Sequence, residues 1–450
     1  LVVGLTPKCL GQHAPRITAF ANAGSMRTIR PAFPAVTCSA QAAMLTGQQP
    51  SVHGIVGNGW YDRESAEIRF WKQSNHLVRA PKVWEAARQR DRSVTCAKLF
   101  WWYNMHSSAD IAVTPRPMYP ADGRKIPDVY TTPPGLRNEL QDALGRFPLF
   151  KFWGPMAGIE SSQWIAESAK RTDATLSLVY LPHLDYSHQK FSADSPEAIA
   201  ALREIDAVVG DLIDHYQRRD ARVSLVSEYG IEPCAHDAPI HINRALRKAG
   251  FVSTREELGR DMLDPGASRV FAVADHQIAH VYVREHANVA AVASLCESIP
   301  GVDTVLGTSQ KHELGIEHDR AGDLILVAEP GRWFTYYHWL DDAIAPDFAR
   351  TVDIHRKPGY DPCELFIDPA INTPKLAVAS RLLRKKLGMR TLMDVIPLDA
   401  SLVRGTHGRS TPQTGREPVW ISSHSTGTEP IAASDVHDLI LEQLFSQSPA

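Results

Sequence analysis

The sequence predicts an α/β fold: a central, mainly parallel sheet with helices on both faces, carrying a smaller inserted α+β cap. Three observations predict it. Segments 1–5, 174–181 (ATLSLVYL) and 222–227 (RVSLVS) are apolar without alternation, as strands buried on both faces are. Helical patterns stand between them, the longest over 195–218. Polar residues follow the strands, with Thr6, Asp185 and Glu228 each just past an apolar run. Parallel sheets place their chemistry at those carboxyl ends.

The elements follow in order. Residues 1–5 read as the first strand and 17–23 as a short helix. Residues 36–46 carry Ala, Gln, Met and Leu at helical spacing, after a proline-rich entry and before the stop at Gly47. A helix over 82–90 leads to a strand over 93–99. Residues 100–160 are rich in aromatics and proline with little periodicity, which predicts a long elaboration over the core. A helix ends over 164–169, before the strand at 174–181. Beyond the long helix and the strand at 222–227, a second set begins. It has helices over 241–249 and 288–299, and strands over 271–274, 280–284 and 323–328. This set is the cap, 236–335; residues 1–235 and 336–450 form the larger core. Residues 347–368 read as a polar loop, 419–421 as a late strand and 434–445 as a closing helix.

Composition excludes several classes of function. Lys plus Arg is 48 and Asp plus Glu is 51, a formal charge of −3 over 450 residues. A nucleic-acid polymer is not an expected partner, because that needs a basic face. No apolar run reaches the ~18 residues of a membrane-spanning helix. The six cysteines (Cys9, Cys38, Cys96, Cys234, Cys296 and Cys363) are scattered with no C-x-x-C pair. That argues against a disulfide scaffold and fits a reducing cytoplasm, the expected location.

One stretch carries the chemistry: Phe33-Pro34-Ala35-Val36-Thr37-Cys38-Ser39, running through Met44-Leu45-Thr46-Gly47 to Pro50-Ser51-Val52-His53-Gly54-Ile55 and Asn58-Gly59. A hydroxyl at a helix start is either a cap or a nucleophile held against the positive end of the helix. The stretch resembles the nucleophile region of the nucleotide pyrophosphatase/phosphodiesterase family, part of the alkaline phosphatase superfamily with phosphonoacetate hydrolase. The resemblance implies an alkaline phosphatase-like core, Thr37 as nucleophile and His53-Gly54 as a structural turn.

The resemblance continues with departures. Thr6 stands where the family has a metal-binding Asp, and Ser39 or Gln41 where it has an Asn. Asp185 matches a ligand, but its partner His position holds Gln189, with His188 one residue short. The Asp-His-Gly motif reads Glu228-Tyr229-Gly230, and the last His-Gly resembles His407-Gly408. The family implies one or two divalent ions, zinc first, with manganese or iron as alternatives. Asp185, Glu228 and His407 would then be core ligands. His355 and Asp361 would complete the set, with Asp353, Glu364 and His188 in reserve. The segment 353–364 (DIHRKPGYDPCE) supports two readings: a metal-ligand loop, or a loop stapled by salt bridges among Asp353, Arg356, Lys357 and Asp361. The aromatics Trp101-Trp102-Tyr103 and Trp333, Tyr336, Tyr337 and Trp339 fit core packing or ligand stacking. The expected function is metal-dependent hydrolysis of a phosphate ester, phosphodiester or pyrophosphate in a small phosphorylated substrate. The alternative is a degenerate relative that binds such a ligand without turnover.

Overall fold

The computed structural model describes residues 1–284, 289–424 and 427–446. Two four-stranded segments make the main sheet. One runs Ile431–Ala432, Ser25–Arg30, Val419–Ser422, Ser224–Val226; the other Val129–Thr132, Ile111–Pro115, Cys96–Leu99, Leu176–Val179. The first residues of the chain join them. Val2 donates its N–H to Val226 O at 2.8 Å, and Val3 to Leu181 O at 3.1 Å. Leu1, Val2, Val3 and Leu5 are buried, which is why this run carries no polar residue until Thr6. The centre of the sheet is parallel, and its outer strands 25–30, 419–422 and 129–132 pair antiparallel.

Helices pack on this sheet. The Pro196–Gln217 helix starts on Ser195, whose hydroxyl accepts the N–H of Ala198, with proline in the first turn. The Thr37–Thr46 helix is buried at all ten positions and ends on Gly47, at φ 67°. Its small residues (Ser39, Ala40, Ala42 and Ala43) let neighbours approach from every side.

The cap has its own antiparallel sheet, in the order Val270–Asp275, Ile278–Val283, Leu324–Ala328, Val302–Leu306. Its apolar cluster runs from Ala238 to Val403 and includes Phe70. Residues 336–403 supply side chains to this same cluster. The aromatic run Trp333, Tyr336, Tyr337 and Trp339 is core packing within that cluster. The chain returns to the main sheet at Val419–Ser422.

Two expectations are corrected. Residues 100–160 are not only an elaboration: Ile111–Pro115 and Val129–Thr132 are strands of the main sheet. Pro115 at the end of the first strand, and Pro127 and Pro133 on either side of the second, hide their pattern. The strand Ser25–Arg30 (SMRTIR) went unread because only Ile29 is fully buried. The first residue of the expected helix 288–299 lies outside the described residues, and the helix spans Val289–Glu297. No helix among the described residues is long and apolar enough to cross a membrane.

Candidate active site

Thr37 opens its helix after Val36, which is still extended, so its hydroxyl stands at the positive end of the helix. The next amide, Cys38 N–H, donates to Asn58 Oδ1 at 2.9 Å. Asn58 in turn donates from its backbone and side-chain nitrogens to both oxygens of Asp275, at 2.7 and 2.9 Å. Asp275 ends a cap strand, so the cap holds the head of the Thr37 helix.

A file of hydrogen bonds leads away from Thr37. Its Oγ1 lies 2.9 Å from the Tyr229 hydroxyl, which donates to Asp185 Oδ1 at 3.4 Å. Gln189 Nε2 donates to the other oxygen of Asp185 at 2.9 Å. Tyr360 donates its hydroxyl to Gln189 Oε1 at 2.8 Å. One helical turn past Thr37, Gln41 donates to Glu228 Oε1 at 2.6 Å and accepts the N–H of Trp102 at 2.7 Å.

Aromatic rings close the other side. Tyr229 stacks on His407 with centroids 3.6 Å apart and planes 8° apart. His276 lies 3.7 Å from His407 and 3.7 Å from Tyr360. His407 Nδ1 is 2.8 Å from Ala35 O, so Nδ1 carries the proton and Nε2 is a bare acceptor. That Nε2 and Glu228 Oε2 are buried without a hydrogen-bond partner.

Burial sets the charge of this site. It pushes the Asp185 carboxyl up to about 7, against the hydrogen bonds from Gln189 and Tyr229. It pushes Glu228 up to about 8, with Asp185 adding to the rise and the hydroxyl of Thr37 and the amide of Gln41 opposing it. It lowers His407 to about 3. The centre is thus mostly neutral near pH 7. A carboxyl raised on folding binds its proton more tightly in the folded chain. Its stabilising effect is complete below the ordinary carboxyl range and is lost as pH rises through about 8 for Glu228. Glu228→Gln keeps the bond to Gln41 and removes this loss. The variant is expected to melt a few degrees above wild type at pH 9, with the difference vanishing towards pH 5; thermal melts at both pH values check this.

The other expected site residues lie apart. Thr6 and His188 line a separate cleft of about 340 Å³ with Lys8, Cys9, Asp194 and Arg416. Gly230 packs beside that cleft: a Cβ there would sit 1.8 Å from Arg416 O and 3.1 Å from Thr6 Cγ2. Asp361 Oδ2 and Glu364 Oε1 each lie 2.7 Å from Lys357 Nζ. The backbone N–H of Asp353 donates to Glu364 Oε1, and His355 Nδ1 lies 3.4 Å from Phe70 O. The segment 353–364 does reach the Thr37 file, but through Tyr360 rather than through its acids.

The two-ion centre implied by the sequence is not matched by these residues. Both oxygens of Asp185 are engaged, one oxygen of Glu228 is held by Gln41, and Tyr229 and Gln189 occupy the histidine positions. Asp185 Oδ1 and His407 Nε2 approach to 3.9 Å, a pair where a metal needs three or four donors. Among the described residues, no group of three or more His, Cys, Asp or Glu could hold a metal ion.

Sequence reasoning missed Tyr360 and the part played by His276, and it had Asn58 in the motif stretch without a role. The one local signal for Tyr360 is Gly359 before it, where a Cβ would meet Tyr336 Cβ at 2.6 Å.

The sheet with its packed helices, the second antiparallel sheet and the buried threonine heading a helix make an alkaline phosphatase-like fold. The chain belongs to the type I phosphodiesterase / nucleotide pyrophosphatase family, whose model matches residues 1–361. An uncharacterized pyrophosphatase/phosphodiesterase of Schizosaccharomyces pombe is 22% identical over 217 residues, 47% of this chain and 39% of that protein. Ectonucleotide pyrophosphatase/phosphodiesterase family member 1 of Rattus norvegicus is 23% identical over 245 residues, 52% of this chain and 24% of that protein. The matches thus span well under half the length of these relatives. The solved structure of phosphonoacetate hydrolase from Sinorhizobium meliloti, in complex with phosphonoformate, superposes with a TM-score of 0.63 at 15% identity. It covers 98% of this chain and 94% of that one. Murine ectonucleotide pyrophosphatase/phosphodiesterase 5 gives a TM-score of 0.57 at 13% identity, over 100% and 95%.

Proposed function

We propose that the chain hydrolyses a phosphoester bond in a small phosphorylated molecule, with Thr37 as the attacking group. The observation that carries this reading is the placement of Thr37. Its hydroxyl heads a fully buried helix and lies 2.9 Å from the Tyr229 hydroxyl. Family membership supports phosphoester hydrolysis as the reaction class.

The chemistry follows from the neighbours. Glu228 in its ionised form, which grows as pH rises through about 8, takes the Thr37 hydroxyl proton as the Thr37 Oγ1–P bond forms and the bond from phosphorus to the leaving oxygen breaks. The proton then passes to the leaving oxygen, which departs as an alcohol. Water later cleaves the phosphothreonine and returns the proton to Thr37. A positioned base of this kind is worth roughly 10²–10⁴ in rate, and the helix terminus favours the developing negative charge.

A second reading, ligand binding without turnover, is favoured by one observation: Thr37 is only 5% exposed and its hydroxyl is already hydrogen-bonded. The test is a panel of bis-(p-nitrophenyl) phosphate, p-nitrophenyl phosphate and a nitrophenyl ester of AMP, with acid quench and mass spectrometry. Hydrolysis with a phosphoryl group trapped on Thr37 is expected. No hydrolysis, together with thermal protection by AMP, overturns the hydrolase reading in favour of binding.

A further inference from the structure

We infer that the Thr37 centre works without a metal ion, and that the file Thr37–Tyr229–Asp185–Gln189–Tyr360 holds the attacking group where metals hold it in the family pattern. This rests on the reading of Thr37 as the reacting group. The argument lies in what each replacement does.

A neutral substitute that merely filled a lost ligand position would be left without partners in the core. Here each substitute is used on two sides. Gln189 donates to Asp185 and accepts from Tyr360. Tyr229 bonds Thr37 and Asp185 and stacks on His407. Gln41 donates to Glu228 and anchors on Trp102 N–H. Buried links of this kind fix the geometry of Gln189, Tyr229 and Gln41, although Glu228 Oε2 and His407 Nε2 beside them have no partner.

The same contacts remove metal affinity. Asp185 has no free oxygen, and a phenol and a carboxamide are poor partners for zinc at neutral pH. The cluster that looked able to rebuild a ligand set, Asp361 with Glu364, is closed around the Lys357 ammonium. Tyr229 is therefore a positioning residue: it touches the nucleophile and aims its hydroxyl, and Tyr360 and Gln189 fix Asp185 behind it.

The experiment measures metal content and turnover separately. Wild type is dialysed against zinc and manganese, desalted and analysed by inductively coupled plasma mass spectrometry. Metal far below one equivalent is expected, with hydrolysis of bis-(p-nitrophenyl) phosphate unchanged by a chelator. Tyr229→Phe keeps the ring stack and loses the hydroxyl. It is expected to lower kcat about tenfold, the worth of one buried hydrogen bond, with KM unchanged. The pair Tyr229→His with Gln189→His restores ligand types and is expected to take up about one equivalent of zinc. Stoichiometric metal in wild type overturns the inference even if the enzyme hydrolyses its substrate through Thr37. A metal-free wild type that hydrolyses nothing overturns the hydrolase reading and, with it, the inference that the centre works without metal. A Tyr229→Phe variant with wild-type kcat removes Tyr229 from the positioning role.

Discussion

Thr37→Ala is expected to abolish turnover, lowering it by about 10³-fold or more, while the chain stays folded. The variant removes the only atom of Thr37 that can bond to phosphorus. It also removes one hydrogen bond, to Tyr229, and the Tyr229 hydroxyl keeps its bond to Asp185. The stability cost is therefore about 1 kcal/mol, too small to unfold a chain with two large apolar clusters. Thr37→Ser restores a hydroxyl at the same helix head and is expected to recover most of the rate. Steady-state assays of the three proteins, with melting curves alongside, check both halves. A Thr37→Ala protein that turns over at the wild-type rate would remove Thr37 from the reaction.

Lys357→Met is expected to cost about 3–5 kcal/mol, the usual price of breaking a buried ionic group on one side. The Lys357, Asp361 and Glu364 side chains are each 2% exposed or less, and the ammonium bridges both carboxylates at 2.7 Å. Burial alone would lower the Lys357 ammonium, but Asp361 and Glu364 outweigh it and hold it well above its ordinary value. Without it, two acids face each other in the core with only Trp153 Nε1 and local amides for partners. The triple variant Lys357→Met, Asp361→Asn, Glu364→Gln removes the stranded charge and is expected to regain much of the loss. Tyr360 lies between Lys357 and Asp361 in the chain, so the single variant also slackens the far end of the Thr37 file. Denaturant unfolding of the single and triple variants separates the two contributions. Equal stability of the single variant and wild type would show that the cluster carries no net charge pairing.

Much of the site could be read from sequence because its residues sit at element boundaries. Strand ends and a helix start are local features, and Thr37, Asp185 and Glu228 fall on them. The Gln41 position was likewise in view as a substitute near the nucleophile, though its bond to Glu228 spans 187 residues of sequence. Tyr360 was not in view. It comes from a polar loop, and only the folded chain shows that Gly359 lets that loop press against Ala274 and Tyr336. The acids of the same loop were ambiguous for a different reason. Asp, His and Glu are the residues of a metal site and equally the partners of a lysine, and nothing local says that Lys357 turns inward. In the fold, the long helices and central strands were legible from their patterning. The strand at 25–30 and the edge pair at 111–132 were not, because their partners, more than their composition, make them strands.

The bond from Asp275 through Asn58 to the Cys38 amide means that the Val270–Asp275 sheet and the head of the Thr37 helix share one breathing motion. An opening that frees Asp275 releases Asn58, and with it the amide next to Thr37. In hydrogen exchange, the Cys38 proton therefore follows the opening of the cap rather than the fraying of its own helix. Any influence that tightens the cap steadies the head of the Thr37 helix, so a residue more than 200 positions away sets how still the Thr37 hydroxyl is held.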